Sequence, residues 1–193
     1  MSAETSHNPA YLLRTLVSAV KRASGQFKGV LINGMHGAGK HTLLAALSDA
    51  RPCVSLLTNR ERQLAQDDPE AFLTTPPLPV TIEEFQRAHA LSCELKTALD
   101  DTKDRGRLWL TASERLGYRN PLEESLAGRL AFYDLFPLSL YELAGQGLGQ
   151  KPWKPTGTLT RGTLPAMTAG DVLERIWFGS MPGLNPPRPL NRN

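Results

Sequence analysis

The sequence is poor in the features that would mark it for export, crosslinking or a membrane. Only two cysteines, Cys53 and Cys93, occur among 193 residues. They have neither C-x-x-C spacing nor a neighbouring histidine cluster, which argues against both a zinc site and a disulfide framework. Both are expected to be buried thiols. No apolar run approaches the ~20 residues that span a bilayer. The amino terminus, M-S-A-E-T-S-H-N-P-A, has no basic segment leading into an apolar one, so no secretory signal is read there and the expected location is cytoplasmic. Charge of one sign is also scarce: 22 Lys and Arg stand against 19 Asp and Glu, a net +3, and the basic residues are scattered among the acids. Composition therefore does not speak for nucleic-acid binding. No internal repeat is present.

What remains, 40% hydrophobic and 21% charged residues, suits one α/β domain with at most a small appendage. Residues 10–24 carry Leu12, Leu16 and Val20 at helical spacing, with Arg14, Lys21 and Arg22 on other faces. Short aliphatic strands are expected at 27–33, 53–57, 78–82 (despite Pro79), 107–111 and 130–136. Helical segments at 42–50, 87–101 and 122–127 separate them. The polar span 59–75 reads as a surface helical excursion, with Asp68-Pro69-Glu70 as N-cap, first-turn proline and first-turn acid. Strands alternating with helices of crossover length predict a mostly parallel five-stranded sheet flanked by helices. Beyond Pro137 a short helix at 139–144, a glycine- and proline-rich span at 145–165, a helix at 171–178 and a disordered tail are expected. The division is an N-terminal helix at 1–25, a core at 26–144, a loop and C-terminal helix at 145–183, and the tail at 184–193.

One stretch carries chemistry. From Gly34 to Lys40 the chain reads G-M-H-G-A-G-K, a match to G-x-x-x-x-G-K with a strand predicted before it and a helix after it. Glycines let successive backbone N–H groups face phosphate oxygens, and the helix N-terminus adds partial positive charge. Lys40 supplies a full charge. Gly34, Gly37, Ala38, Gly39, Lys40, His41 and Thr42 are thus the candidate nucleotide-binding residues. The exception is His41, where a Ser or Thr hydroxyl would ligate Mg²⁺. Imidazole is a poor ligand for that hard cation, and Thr42 lies about 100° further round the helix. His41 is read either as a contact residue at the phosphate end or as a substitution that weakens metal binding. His36 reads as a solvent-facing spacer. At the end of the third strand, I-E-E-F supplies Glu83, a candidate metal ligand, and Glu84, a candidate for orienting or deprotonating water.

The order G-x-x-x-x-G-K, V-S-L, D-D-P-E-A-F-L, I-E-E-F-Q-R-A, L-T-A-S, E-S-L-A-G-R, F-P-L-S-L-Y-E-L and W-F-G-S-M-P-G resembles the AAA-type P-loop ATPases that often carry a restriction-nuclease-like C-terminal domain. The resemblance runs over about residues 26–183. It implies a P-loop NTPase core with an AAA-like sheet, ATP as ligand with a weakly held Mg²⁺, and a homo-oligomer or protein partner. It also implies that Glu84 is the catalytic carboxylate and that Thr111 and Ser113 form a polar sensor, with Ala112 in place of the usual glycine. Arg129 would sense the γ-phosphate or act across a subunit interface. Gln86 and Arg87 match the family's Q-R-A without a derivable role. The sequence ends soon after W-F-G-S-M-P-G, where G-G-Y-P is usual. It is therefore read as a fragment or a stand-alone module, and inferences about DNA lapse. Two functions stay open: a slow ATPase, or an inactive ATPase relative that serves as a binding scaffold.

Overall fold

The structure, a computed structural model, describes residues 12–47, 51–74, 76, 78–113, 125–149 and 166–185. Five strands, β1 (Gly29–Asn33), β2 (Cys53–Ser55), β3 (Val80–Glu83), β4 (Leu108–Ala112) and β5 (Leu130–Asp134), form one sheet in the order β2-β3-β4-β1-β5. Every neighbouring pair is parallel. Parallel pairing demands crossovers, and helices α1 (Val17–Ser24), α2 (Lys40–Leu47), α3 (Asn59–Asp67), α4 (Pro69–Thr74) and α5 (Leu91–Asp101) cover the faces. Two short distal helices follow, α6 (Leu140–Leu143) and α7 (Ala169–Phe178). The predicted sheet is the observed one, an AAA-like α/β arrangement.

Alternation along β1 divides the core. Val30 and Ile32 face α1 and α2, where they meet Val20, Leu43, Leu44 and Trp109. Leu31 points the other way into a larger cluster with Phe72, Ile82, Phe85, Leu91, Leu95 and Leu110. Full burial of such side chains contributes about 1.5–3 kcal/mol each, so β1 is held from both faces before any loop contact is counted. The chain leaves β1 for the β2 side and returns to β5 on the other side. The carboxyl end of β1 is therefore a topological switch point, where open α/β sheets bind ligands.

Several local expectations shift. Val80 opens β3 because Pro79 has no N–H for the ladder. A 3-10 turn at Phe85–Arg87 precedes α5, which starts at Leu91. The 59–75 excursion is two helices, with Asp68 Oδ1 accepting from the Ala71 N–H at 3.0 Å as the cap requires. It is not purely superficial, since Phe72 is fully buried. Cys53 and Cys93 are both exposed rather than buried, Cys53 because β2 is an edge strand. The N-terminal helix begins at Val17, later than its apolar spacing suggested. The helix expected at 122–127, most of 145–165 and the tail 184–193 fall largely outside the described residues. Among the described residues no helix is long and apolar enough to cross a membrane.

Candidate functional site

The loop after β1 is fixed at its root. The Gly34 N–H donates to the Ala112 carbonyl at 3.1 Å, and the Leu135 N–H donates to the Asn33 carbonyl at 2.7 Å, tying the loop to both flanking strands. Gly37 and Gly39 hold φ of 80° and 93°, a region that side chains with a Cβ rarely enter. These turns leave the amides of Gly37, Gly39, Lys40, His41 and Thr42 without a backbone acceptor among the described residues. Unpaired amides at a helix N-terminus form a cradle for an anion.

Inside the cradle Lys40 is buried, and its Nζ donates to the Gly34 carbonyl at 2.7 Å, the Met35 carbonyl at 3.1 Å and Ser113 Oγ at 3.0 Å. Burial lowers its pKa, and Glu84 and Glu83 oppose that shift. Ser113 passes the chain on, donating to Glu84 Oε1 at 2.6 Å, while Gln86 Nε2 donates to Glu84 Oε2 at 2.7 Å. Glu84 sits at φ 57°, ψ 43°, and its N–H donates to Thr111 Oγ1 at 3.2 Å. A left-handed glutamate costs about 1–3 kcal/mol, so the surrounding bonds must over-determine it. The conformation turns Glu84 inward toward Lys40 just where Glu83 ends β3. The structure thus brings Lys40, Ser113, Thr111, Glu84 and Gln86 together.

The other side of the loop is different. His41 Nδ1 contacts Glu83 Oε1, with the imidazole side chain 65% exposed and the carboxylate 14% exposed. Cys53 completes a group in which the imidazole nitrogen, sulfur and carboxylate oxygen all lie within 4.8 Å of one another. The Cys53 thiol is pushed up to about 11 by desolvation and then by Glu83. Thr42 is exposed on α2 and His36 is exposed on the loop.

Arg129 is not brought to this site. In a parallel sheet the residues that precede strands gather at the amino edge. Arg129 stands there, before β5, with its carbonyl accepting from the Lys28 N–H at 3.0 Å. Its guanidinium is paired with Asp100, Nη2 to Oδ2 at 2.6 Å and Nε to Oδ1 at 2.7 Å. A five-residue strand separates it from the loop by roughly 16 Å at ~3.3 Å per residue. It cannot touch a phosphate held by its own chain.

Sequence reasoning missed the loop's outer support. Arg14, assigned to a polar face, is buried with 4% of its side chain exposed. It donates from Nη1 to the Ala38 carbonyl of the loop at 2.8 Å, from Nη2 to the Phe136 carbonyl at 2.5 Å and from Nε to Glu142 Oε1 at 3.1 Å. Burial tends to raise the Glu142 pKa, but N–H groups of Ser139 and Thr15 and the Arg14 charge outweigh it and hold the carboxyl below its usual value. The S-x-x-E of F-P-L-S-L-Y-E-L was the visible signal: Ser139 and Glu142 form a reciprocal capping box at α6. Met181 and Pro182 of the M-P-G turn lie directly beyond the loop, within 3.3 Å and 3.6 Å of where side chains on Gly37 and Gly39 would begin.

Over residues 26–144 the sequence matches the family model described as an AAA domain. No curated protein matches it. Among solved structures it is similar to the Walker-type ATPase PABY2304 of Pyrococcus abyssi, at 16% identity and a TM-score of 0.42 over 74% of this chain and 60% of that one. It is also similar to C. elegans PCH-2, at 16% identity and a TM-score of 0.35 over 67% of this chain and 42% of that one. The chain thus spans less than two thirds of the length of either structure. The family match begins just before β1, takes in the loop, both glutamates and Ser113, and runs past α6, more than half of the chain; on that match this protein belongs to the AAA-type P-loop ATPase family.

Proposed function

We propose that the chain binds ATP at the carboxyl edge of its sheet and hydrolyses it slowly. The observation that carries this reading is the continuous bonded path from Lys40 through Ser113 to Glu84 beside the open amide cradle. Gly34, Gly37, Ala38, Gly39, Lys40, His41 and Thr42 would surround the phosphates, and hydrogen bonds to a charged group such as Lys40 contribute about 1.5–3 kcal/mol. Glu84, held at both oxygens by Ser113 and Gln86, would accept a proton from water as the water oxygen bonds to the γ-phosphorus and the bond to the β–γ bridging oxygen breaks, releasing ADP and phosphate, while the Lys40 ammonium disperses the developing charge.

A magnesium ion would supply polarisation of the phosphate and neutralise developing charge. The residues present do not fit it. The hydroxyl position holds an imidazole, the carboxylate next to it is engaged by that imidazole, and the third donor is sulfur. Loss of a properly held hard cation removes a term of several kcal/mol from the transition state, whereas ground-state binding through amides and Lys40 survives it better. Slow turnover follows, and a scaffold with no turnover is the limiting case.

The test is an ATP titration with wild type, Lys40→Ala and Glu84→Gln, followed by phosphate release. Lys40→Ala should weaken binding about tenfold or more, equivalent to ~1.4 kcal/mol. Glu84→Gln should bind ATP but lose turnover by about 10²–10⁴-fold. Affinity that ignores Lys40 would refute the loop assignment; tight binding with no release by wild type would make the protein a scaffold.

A further inference from the structure

We propose that His41, Cys53 and Glu83 form a binding site for a borderline divalent cation of the zinc class, set where P-loop proteins otherwise hold magnesium. Its position beside the phosphates rests on the nucleotide reading above; the donor set does not.

The site is assembled by the sheet. In the parallel β2–β3 register Cys53 pairs with Thr81 and Ser55 with Glu83, so the period of two places Cys53 and Glu83 on the same face. Thr81 in turn pairs with Trp109, which packs against Leu43 and Leu44 of α2, so this is the face that α2 covers. His41 enters from the first turn of α2. Three donors from three elements thereby converge within 4.8 Å, one nitrogen, one sulfur and one oxygen.

The chemistry of that set is selective. Magnesium demands near-octahedral oxygen ligation, and a thiolate and an imidazole work against it. Thiolate, imidazole and carboxylate together suit a tetrahedral ion of zinc type, with bonds of about 2.3 Å to sulfur and about 2.0–2.2 Å to nitrogen and oxygen. Spacing the donors to those bonds needs small side-chain rotations, which the exposed His41 ring can make. Thiolate and carboxylate would balance the two positive charges, offsetting the unfavourable helix N-terminus above. Three protein ligands leave a fourth position, open to water or to a phosphate oxygen of the nucleotide. The departures from the P-loop pattern at His41 and Glu83 then read as one coordinated exchange of donors, completed by Cys53.

The experiment uses the full chain, freed of metal with a chelator and without nucleotide. Zn²⁺ is titrated calorimetrically, and Co²⁺ is followed by its absorption spectrum, with Cys53→Ser, His41→Ala, Glu83→Gln, Cys93→Ser and Lys40→Ala in parallel. Wild type should bind one Zn²⁺, and the Co²⁺ form should show a thiolate charge-transfer band with the intense visible bands of tetrahedral geometry. Cys53→Ser should abolish the charge-transfer band, and each of the three ligand variants should weaken Zn²⁺ at least about tenfold. Cys93→Ser should leave the metal unchanged, and Lys40→Ala, which keeps all three donors, should still bind one Zn²⁺ with the charge-transfer band, so a failure of nucleotide binding in Lys40→Ala remains separate from a failure of the metal site. Absence of stoichiometric Zn²⁺ binding in wild type would overturn the proposal. So would a charge-transfer band that survives Cys53→Ser and vanishes in Cys93→Ser.

Discussion

The two flanks of the phosphate loop, one facing β4 and the other facing β2, differ in how their side chains are held. On the β4 flank Lys40, Thr111 and Glu84 are buried: Ser113 joins Lys40 to Glu84 by bonds of 3.0 and 2.6 Å, and Thr111 Oγ1 accepts from the N–H of Glu84, which holds a strained backbone conformation. On the β2 flank His41 is exposed at the start of α2 and Cys53 on the edge strand, and with Glu83 they gather one nitrogen, one sulfur and one oxygen donor. On the nucleotide reading proposed above, the difference teaches that the anion-holding and cation-holding parts of a P-loop site are separable. The first is backbone geometry plus one buried ammonium and cannot drift without losing the fold at a switch point. The second is side-chain chemistry at a rim, where substitution costs the fold little.

The largest expected effect tests whether the buried flank depends on support from outside the loop. Arg14→Ala leaves Glu142 buried without its cationic partner and should lower unfolding free energy by about 3–5 kcal/mol, measured by denaturant unfolding. A loss below about 1 kcal/mol would show that the loop stands without this anchor.

The contrast between the flanks should break in the double variant His41→Thr with Glu83→Asp, which restores hard donors. Phosphate release in Mg²⁺ should rise about tenfold or more, since several kcal/mol of cation stabilisation are in play. An unchanged rate would show that the rim does not limit turnover.

A smaller effect appears in acid. Hydrogen bonds from the Ser139 and Thr15 N–H groups and the Arg14 charge hold the Glu142 carboxyl of the folded chain below the ordinary glutamate value that it takes when unfolded. Its contribution is therefore fully present above that value and is lost as pH falls through the folded value. Denaturant midpoints should fall for wild type as pH drops below the ordinary glutamate range, and Glu142→Gln should remove that part of the dependence.

The smallest effect is predicted for the amino edge. Arg129→Ala should leave ATP affinity unchanged within error in a binding titration of the monomer, because its guanidinium serves Asp100. A weakened affinity would imply that a second copy brings this arginine to the loop.

Much of the loop and its flanking strand ends was legible from local order. The strand–loop–helix context of G-M-H-G-A-G-K, the period-two aliphatics of β1 and β4, and the Asp68 cap all depend on residues close together in the chain, so spacing reveals them. The positions of Lys40, Glu83 and Glu84 at one sheet edge followed from strand alternation. Arg14 was misread because helical spacing counts apolar neighbours and cannot see a carbonyl brought from Ala38 or a carboxylate from Glu142.

By itself the sequence determined a parallel α/β core with a phosphate loop ending in a buried lysine and a paired-glutamate strand end, because backbone conformation and hydrophobic period are short-range. The tertiary structure alone decided that Arg129 faces away from the loop, that Arg14 and the Met181-Pro182 turn back it, and that Cys53 joins His41 and Glu83. The first and last depend on strand order and register, and the second on segments packed onto the loop from far along the chain; all three join residues distant in sequence and leave no mark in linear spacing.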